Sequence, residues 1–339
     1  MNLPVKLDKD NFITAVRACL AHAGFNVNEA EASISSWLFA QDSEKFSHGF
    51  IRLPWLLQLV EKGDVIANSK YSVESHGLTT VIRGEKSLGY YAAQIAVQSC
   101  INKARETGFS LATIDDCYPT GCLGEYVKKI TDQNMIAFAV SSSPPRVSAY
   151  NSVSRIFSTL GHSFGFPSSD IPYIYDSSVG SITHGQIELA RQSEIELPVG
   201  TVFTKDGKTT VYPNEVFDEN NVFSGIINIA GGVDARKMSG FAGSLELFAR
   251  LALATKKTEG TSKGYSSFFA FDIQSITDVD NYKAQVDDLI VSIKTAKRIH
   301  PEKEVYFAGE SSFQKRQSNT NLNHITINQE IFNVVKKYL

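Results

Sequence analysis

Three stretches decide the architecture: FSLATID at 109–115, MIAFAVSSS at 135–143 and IPYIYDSS at 171–178. Each is short, apolar-rich and bounded by polar or Pro/Gly positions, which is how strands of a partly buried sheet read. Upstream of the first, residues 88 to about 107 form a helical pattern closed by Gly108, the residue type that most readily adopts the left-handed conformation at a helix end. Before that helix, YSVES (71–75) and TTVIRGE (79–85) read as strands with His76-Gly77 as the turn between them. At about residue 109 the chain changes from helix-rich to mainly β.

Farther toward the start, Phe12, Val16, Cys19 and Leu20 recur at helical spacing behind Asp10 as cap, and a second pattern runs from Asn28 through Trp37 and Phe39. Pro54 suits the first turn of a third helix, LPWLLQLVEKG (53–63), stopped by Gly63, so His48 and Arg52 fall just ahead of a helix start. Toward the end, Gly240 and Gly243 open an apolar helical run through Leu245, Leu247, Phe248, Leu251 and Leu253. GYSSFFAFDIQ (264–274) returns as a strand, a charged helix spans about 278–298, and a tail begins near FAGESSFQKRQSN (307–319). These patterns predict an α/β protein. A non-Rossmann mixed or antiparallel sheet domain covers 71–299, including the helical segment 240–258; a helical lobe is formed by 1–70 packing with the tail 300–339.

Composition narrows the function. With 33 Lys and Arg against 36 Asp and Glu, the net charge of −3 offers no field to collect nucleic acid or anionic lipid. No apolar stretch approaches the ~20 residues that span a bilayer. The opening MNLPVKLDKD lacks the apolar run of a secretory signal, and the four cysteines form no CxxC pair, so a cytoplasmic protein with free thiols is expected. There is no GxGxxG after a strand, no GxxxxGK[ST] and no HExxH, so the sequence predicts neither a Rossmann cradle nor a metal site. A small-molecule partner remains.

SHGFIRLPW (47–55) carries the chemistry: a hydroxyl beside an imidazole, with a guanidinium four residues on. Arginine's planar fork matches a carboxylate, and imidazole titrates near neutrality and can give or take the proton that accompanies hydride transfer. These residue types fit a 2-oxo or 2-imino acid site, although Ser-His before a helix is also a common cap with a surface histidine.

SHG followed by RLP resembles the opening signature of the malate/L-lactate dehydrogenase-like family of nicotinamide-dependent reductases, which includes diketogulonate, ureidoglycolate and Δ1-piperideine-2-carboxylate reductases. The resemblance continues in register at LGYY (88–91), YDSS (175–178), Thr183-His184-Gly185, Asp206-Gly207 with Thr210 and Pro213, Lys237 and Gly309-Glu310. It implies that His48 protonates the substrate as hydride arrives, that Ser47 orients it, and that Arg52 holds the substrate carboxylate. It also implies NADH or NADPH bound without a Rossmann fold at Asp176, Ser177, Ser178, Lys237, Gly309 and Glu310, and a homodimer with the site near the subunit contact. Read without the resemblance, Asp176 to Ser178 is an ordinary turn, Lys237 a solvated helix flank, Gly309-Glu310 a strand end and helix cap, and His184 a structural histidine.

Several positions depart from the family pattern. Pro119 stands where a histidine is common, and Met238 follows Lys237 where glycine is usual. His162 and Ser163 fall near the usual substrate-loop hydroxyl and amide, ahead of Gly165-Phe166-Pro167. Gln186 replaces the aspartate that completes a Ser-His-Asp relay in imine-reducing relatives. A neutral amide there is expected to leave His48 a weaker proton store near pH 7. The reaction expected is NAD(P)H-dependent reduction of a 2-oxo or 2-imino carboxylic acid, or the reverse oxidation of a 2-hydroxy acid such as malate or lactate. The altered positions leave open a catalytically silent binding protein on the same scaffold.

Overall fold

A computed structural model describes residues 4–251 and 264–339. The chain begins with β1 (Val5–Asp8), α1 (Lys9–His22), α2 (Val27–Asp42) and α3 (Arg52–Glu61), then β2 (Tyr71–His76), β3 (Thr79–Ser87) and α4 (Gly89–Thr107). It continues with β4 (Phe109–Cys117), α5 (Leu123–Thr131), β5 (Met135–Ser142), β6 (Gly161–Phe166), β7 (Tyr173–Ser177) and α6 (His184–Gln192). Short strands β8 (Val202–Phe203), β9 (Thr209–Thr210) and β10 (Ile226–Ile227) precede α7 (Ala235–Ala249) and β11 (Tyr265–Asp272). The chain closes with α8 (Val279–Lys294), α9 (Glu310–Thr320), β12 (His324–Ile327) and α10 (Gln329–Val335).

Seven strands form the main sheet in the order β2-β3-β4-β11-β5-β6-β7. Only the β3–β4 pair is parallel, joined through α4, and every other pair is antiparallel, so the mixed, non-Rossmann sheet expected from the strand patterns is present. Side-chain alternation divides its faces. Ala137 and Ala139 join the core against α4 and α5, whereas Val140 belongs to the core that includes Ala242, Leu245 and Ala249 of α7. A third core packs Phe12, Trp37, Phe50 and Leu53 against Ile325, Ile327 and Ile331 from the end of the chain, and β1 pairs with β12.

Local signals account for most element ends. Gly108 closes α4 at φ 82°, and Asn26 with Glu29 forms a capping box at the start of α2. The cap of α1 is Asp8, not Asp10, because the Asp8 carboxylate accepts from Asn11 N at 2.9 Å. Arg52 is the first residue of α3 and not ahead of it. Gly240 and Gly243 lie inside α7, which begins five residues earlier at Ala235; a Cβ at either glycine would meet nothing within 4 Å. Leu253 and positions 252–258 of the expected helical run lie outside the described residues. Four helices carry no separate expectation from the sequence, α5, α6, α9 and α10. In α5, Leu123, Tyr126, Val127 and Ile130 do recur at helical spacing and are buried, while α6 opens with a capping box between Thr183 and Gln186.

Candidate active site

The chain leaves α2 at Asp42 and makes one tight turn, residues 46–48, before α3 begins. Gly49 follows this turn and packs closely on α2, where a Cβ would sit 2.5 Å from the movable Gln41 Oε1 atom and 3.5 Å from the Gln41 backbone. The turn sets Ser47 Oγ 3.0 Å from His48 Nδ1, and the first residue of α3 folds back so that Arg52 Nε donates to the Ser47 carbonyl at 2.6 Å. Arg52 also lies over the Trp55 ring at 5.1 Å. Its remaining N–H groups have no acceptor among the described residues, so the fork is held by one edge and free at the other. The start of α6 closes on this pair. A Cβ at Gly185 would fall 2.7 Å from Ser47 Cβ and 3.0 Å from Arg52 Nη2, so glycine is what permits the approach.

Behind His48 stands an ion pair joining residues distant in sequence: Lys45 Nζ donates to Asp176 Oδ2 at 2.6 Å, and the Cys122 thiol donates to the same oxygen at 3.3 Å. Burial opposes ionisation of Asp176, but the Lys45 ammonium outweighs it and holds the carboxyl below its ordinary range. Burial, reinforced by Asp176, pushes the Cys122 thiol up to about 12, so it stays protonated. Burial also lowers His48, to about 4; Arg52 and Lys45 add to the shift and Asp176 opposes it. The direction agrees with the weaker proton store expected from Gln186, but the cause differs. A carboxylate near the imidazole is present in Asp176, and burial with the neighbouring cations still holds the ring neutral.

His48, Arg52, Arg146, Asp176, His184 and Gln186 share the walls of a cavity of about 680 Å³. That is within the ~300–1,000 Å³ of small-molecule sites. A second cavity of about 230 Å³ shares Lys45 and Asp176 with the first. Its wall carries Arg316, whose guanidinium lies over Phe39 at 4.7 Å and Phe313 at 5.4 Å, and Gly309, where a Cβ would press within 2.9 Å of the Ile174 carbonyl. Linked cavities with cationic walls and backbone-close glycines fit an extended anionic ligand such as a dinucleotide. Among the described residues no cluster of three or more His, Cys, Asp or Glu is placed to hold a metal ion.

The structure brings Ser47, His48, Arg52, Asp176, Ser177, Ser178 and Gln186 to the larger cavity and Gly309 to the smaller. The Gln186 side chain is engaged by its own helix cap, its Oε1 accepting from Thr183 N at 2.9 Å and Thr183 Oγ1 at 3.0 Å, and not by His48. Glu310 is buried in an ion pair with Lys294 at 2.7 Å and does not line either cavity. Lys237 is exposed and pairs with Asp234 at 2.9 Å, away from both cavities, while Met238 packs on the core beneath α7.

His162 and Ser163 are buried within β6, and neither lines either of these two cavities. His162 Nδ1 faces the Leu160 carbonyl at 2.9 Å, and its ring packs against Tyr175 and Phe241, because strand alternation turns it from the side of Gly161 to the side of α7. Pro119 does line the larger cavity, beside Tyr118 and Cys122. Sequence reading missed Lys45, Cys122 and Arg146, and it left His184 structural although its ring reaches the cavity wall. Burial, with help from Arg146 and Arg52, keeps that ring neutral. No local pattern marks Lys45, whose partner lies 131 residues away.

A mixed, mainly antiparallel sheet beside a Ser-His turn and an arginine on one cavity wall defines the class. The family model for malate/L-lactate dehydrogenase matches residues 7–336, and the chain belongs to that family. It is 23% identical over 317 residues to a malate dehydrogenase of Pyrococcus horikoshii, covering 91% of this chain and 88% of that one. It is 25% identical over 275 residues to an L-sulfolactate dehydrogenase of Methanocaldococcus jannaschii, with 80% of each chain covered. Among solved structures, malate dehydrogenase from Entamoeba histolytica superposes with a TM-score of 0.90 at 18% identity, covering 99% of this chain and 97% of that one, which shows the shared fold. The protein is thus an oxidoreductase of the malate/L-lactate dehydrogenase family.

Proposed function

We propose that the protein interconverts a small 2-oxo or 2-imino carboxylic acid and its 2-hydroxy or 2-amino counterpart using NADH or NADPH. The observation that carries this reading is the convergence of His48, its Ser47 partner and the half-free Arg52 fork on one cavity wall. A bound nicotinamide supplies the hydride for reduction or accepts it in the reverse direction. Arg52 grips the substrate carboxylate through its unpaired N–H edge and so sets the reacting carbon beside His48. Ser47 holds Nδ1, leaving Nε2 to exchange a proton with the substrate oxygen or nitrogen. For an oxo acid, the hydride that a bound nicotinamide would give up forms the new C–H bond as the C=O π bond opens to a C–O single bond, and the oxygen takes the proton released by His48 Nε2.

Because His48 is neutral in the free protein near pH 7, it enters as a base, the state suited to oxidising a 2-hydroxy acid. In reduction, a carboxylate on Arg52 offsets one of the charges that disfavour imidazolium and lets the ring carry its proton to the reaction. Asp176, Ser177, Ser178 and Gly309 border the cavities from which a cofactor would be held, with Arg316 facing its negative charge. Lys237 and Glu310 have no such position within this single chain. Gln186 caps α6 at the rim, and His162 with Ser163 supports the wall from within β6.

We also propose a homodimer. Leu247 (72% exposed), Phe248 and Leu251 leave an apolar patch on and just beyond α7 that a second copy would cover. The lobes are taken as 1–70 with 300–339, and 71–299. A cytoplasmic location is consistent with the four unpaired cysteines, and no described helix is long and apolar enough to cross a membrane.

The test is NAD(P)H consumption with a panel of oxo and imino acids, beside titration of each cofactor by its fluorescence. Turnover that vanishes in His48→Ala with cofactor affinity intact is the expected result. Full turnover in that variant, or binding of neither cofactor, would overturn the reading.

A further inference from the structure

Two arginines, not one, reach the larger cavity without an ion-pair partner. Arg52 belongs to the Ser-His turn. Arg146 joins the same cavity from the segment between β5 and β6, where its backbone is pinned: its N–H donates to the Phe157 carbonyl at 2.7 Å and its own carbonyl accepts from Ile227 N at 2.8 Å. The neighbouring arginines differ. Arg155 spends its guanidinium on the Gly225 and Phe223 carbonyls at 2.8 and 3.1 Å, and Arg191 pairs with Glu188 at 3.0 Å over the Phe217 ring. No hydrogen bond, ion pair or ring engages the Arg146 guanidinium among the described residues, although it is only partly exposed.

The cavity's other charges do not balance it. Asp176 is taken by Lys45 and Glu44 by Lys315, while Glu188, within electrostatic range of Arg146, is ion-paired with Arg191 and is not among the cavity walls. A guanidinium held on a fixed backbone at a cavity wall with no direct ion-pair partner is poised for an anionic group brought by a ligand. With Arg52 assigned to the carboxylate next to the reacting carbon, a second group remains to be read at the far end of the substrate.

We propose that Arg146 is the specificity-determining residue of this site, binding a second acidic group, carboxylate or sulfonate, at the end of the substrate remote from the reacting carbon. This inference rests on the 2-oxo acid reading above and names the substrate as a dianion. An acid with an apolar or imine-ring end would leave Arg146 desolvated and unpaired, and such an imbalance discriminates strongly between substrates.

The test compares oxaloacetate and sulfopyruvate, which carry a second acid, with 2-oxobutyrate, which does not. Wild-type protein should favour the dianions in kcat/KM by about 10- to 100-fold, the range of one charge-assisted contact. Arg146→Ala should remove that preference by lowering kcat/KM for the dianions while leaving 2-oxobutyrate within about twofold, and Arg146→Lys should restore part of it. Equal loss on all three acids, or a wild-type preference for 2-oxobutyrate, would overturn the assignment. Calorimetric binding of succinate against butyrate, with either oxidised cofactor present, separates the two readings. Succinate binding that depends on Arg146 without any turnover keeps this inference and removes the redox one. Turnover of 2-oxobutyrate with no succinate binding does the reverse.

Discussion

Two histidines, half-buried His48 and fully buried His162, show how the same direction of pKa shift accompanies different chemistry. Burial lowers the pKa of both. His48 sits on a turn at a cavity wall, with a hydroxyl on one ring nitrogen and Arg52, Lys45 and Asp176 within electrostatic range. His162 sits in β6, one strand in from the sheet edge, with a carbonyl on Nδ1, aromatic rings around it and no partner for Nε2. Charge and access distinguish a group that can exchange protons with a ligand from one that fills a core.

The sharpest way to break this contrast is to delete each ring. His48→Ala should lower turnover by about 10²- to 10⁴-fold, the usual contribution of a positioned acid or base, while His162→Phe should leave it nearly unchanged. Steady-state kinetics of the two variants decides; equal losses would erase the distinction. Next in size, Arg52→Lys should raise KM by about 10- to 100-fold, because a point charge replaces a planar fork whose Nε also ties Ser47 in place.

Gly185→Ala comes third. The new Cβ would crowd Ser47 and Arg52 together, and kcat/KM should fall by about tenfold with little change in thermal stability if the rim of α6 moves outward. A smaller effect concerns charge. Lys45→Met removes a cation that disfavours imidazolium, so His48 should rise from its value near 4, by less than about one pH unit because buried Asp176 loses the ammonium that keeps it ionised, read by NMR titration. A fall would show that the ion pair acts on His48 in the opposite sense.

The sign of the pH effect on stability follows. A histidine with a folded pKa near 4 against ~6.5 when unfolded contributes stability that is complete above about pH 6.5 and is lost as pH falls toward 4. Denaturant titrations across that window should therefore show a decline, shallower in Lys45→Met. Smallest of all, His162→Phe should change unfolding free energy by no more than about 1 kcal/mol, since it removes one hydrogen bond and one unpaired nitrogen together.

Residues 47–52 were legible as a unit because hydroxyl, imidazole and guanidinium lie within one turn and a helix start, and a short peptide sets their relative positions. Strands β4, β5 and β11 were equally legible from apolar runs, and α4 from its closing glycine. Lys237 and Glu310 read as ligand positions because register alone ranked them, yet each is engaged by a nearby opposite charge. Arg146 follows two prolines in a stretch without periodicity, and nothing local distinguishes it from a solvated arginine.

By itself the sequence determined the alternation of helix and strand, the Ser-His-Arg run and the absence of a Rossmann phosphate loop, all of which depend on neighbours a few positions apart. Tertiary structure decided which carboxylate stands behind His48, which face His162 occupies and which arginines keep a free guanidinium edge. Those outcomes depend on pairings such as Lys45 with Asp176, and Coulomb energy depends on distance in space, which the order of residues along a chain does not specify.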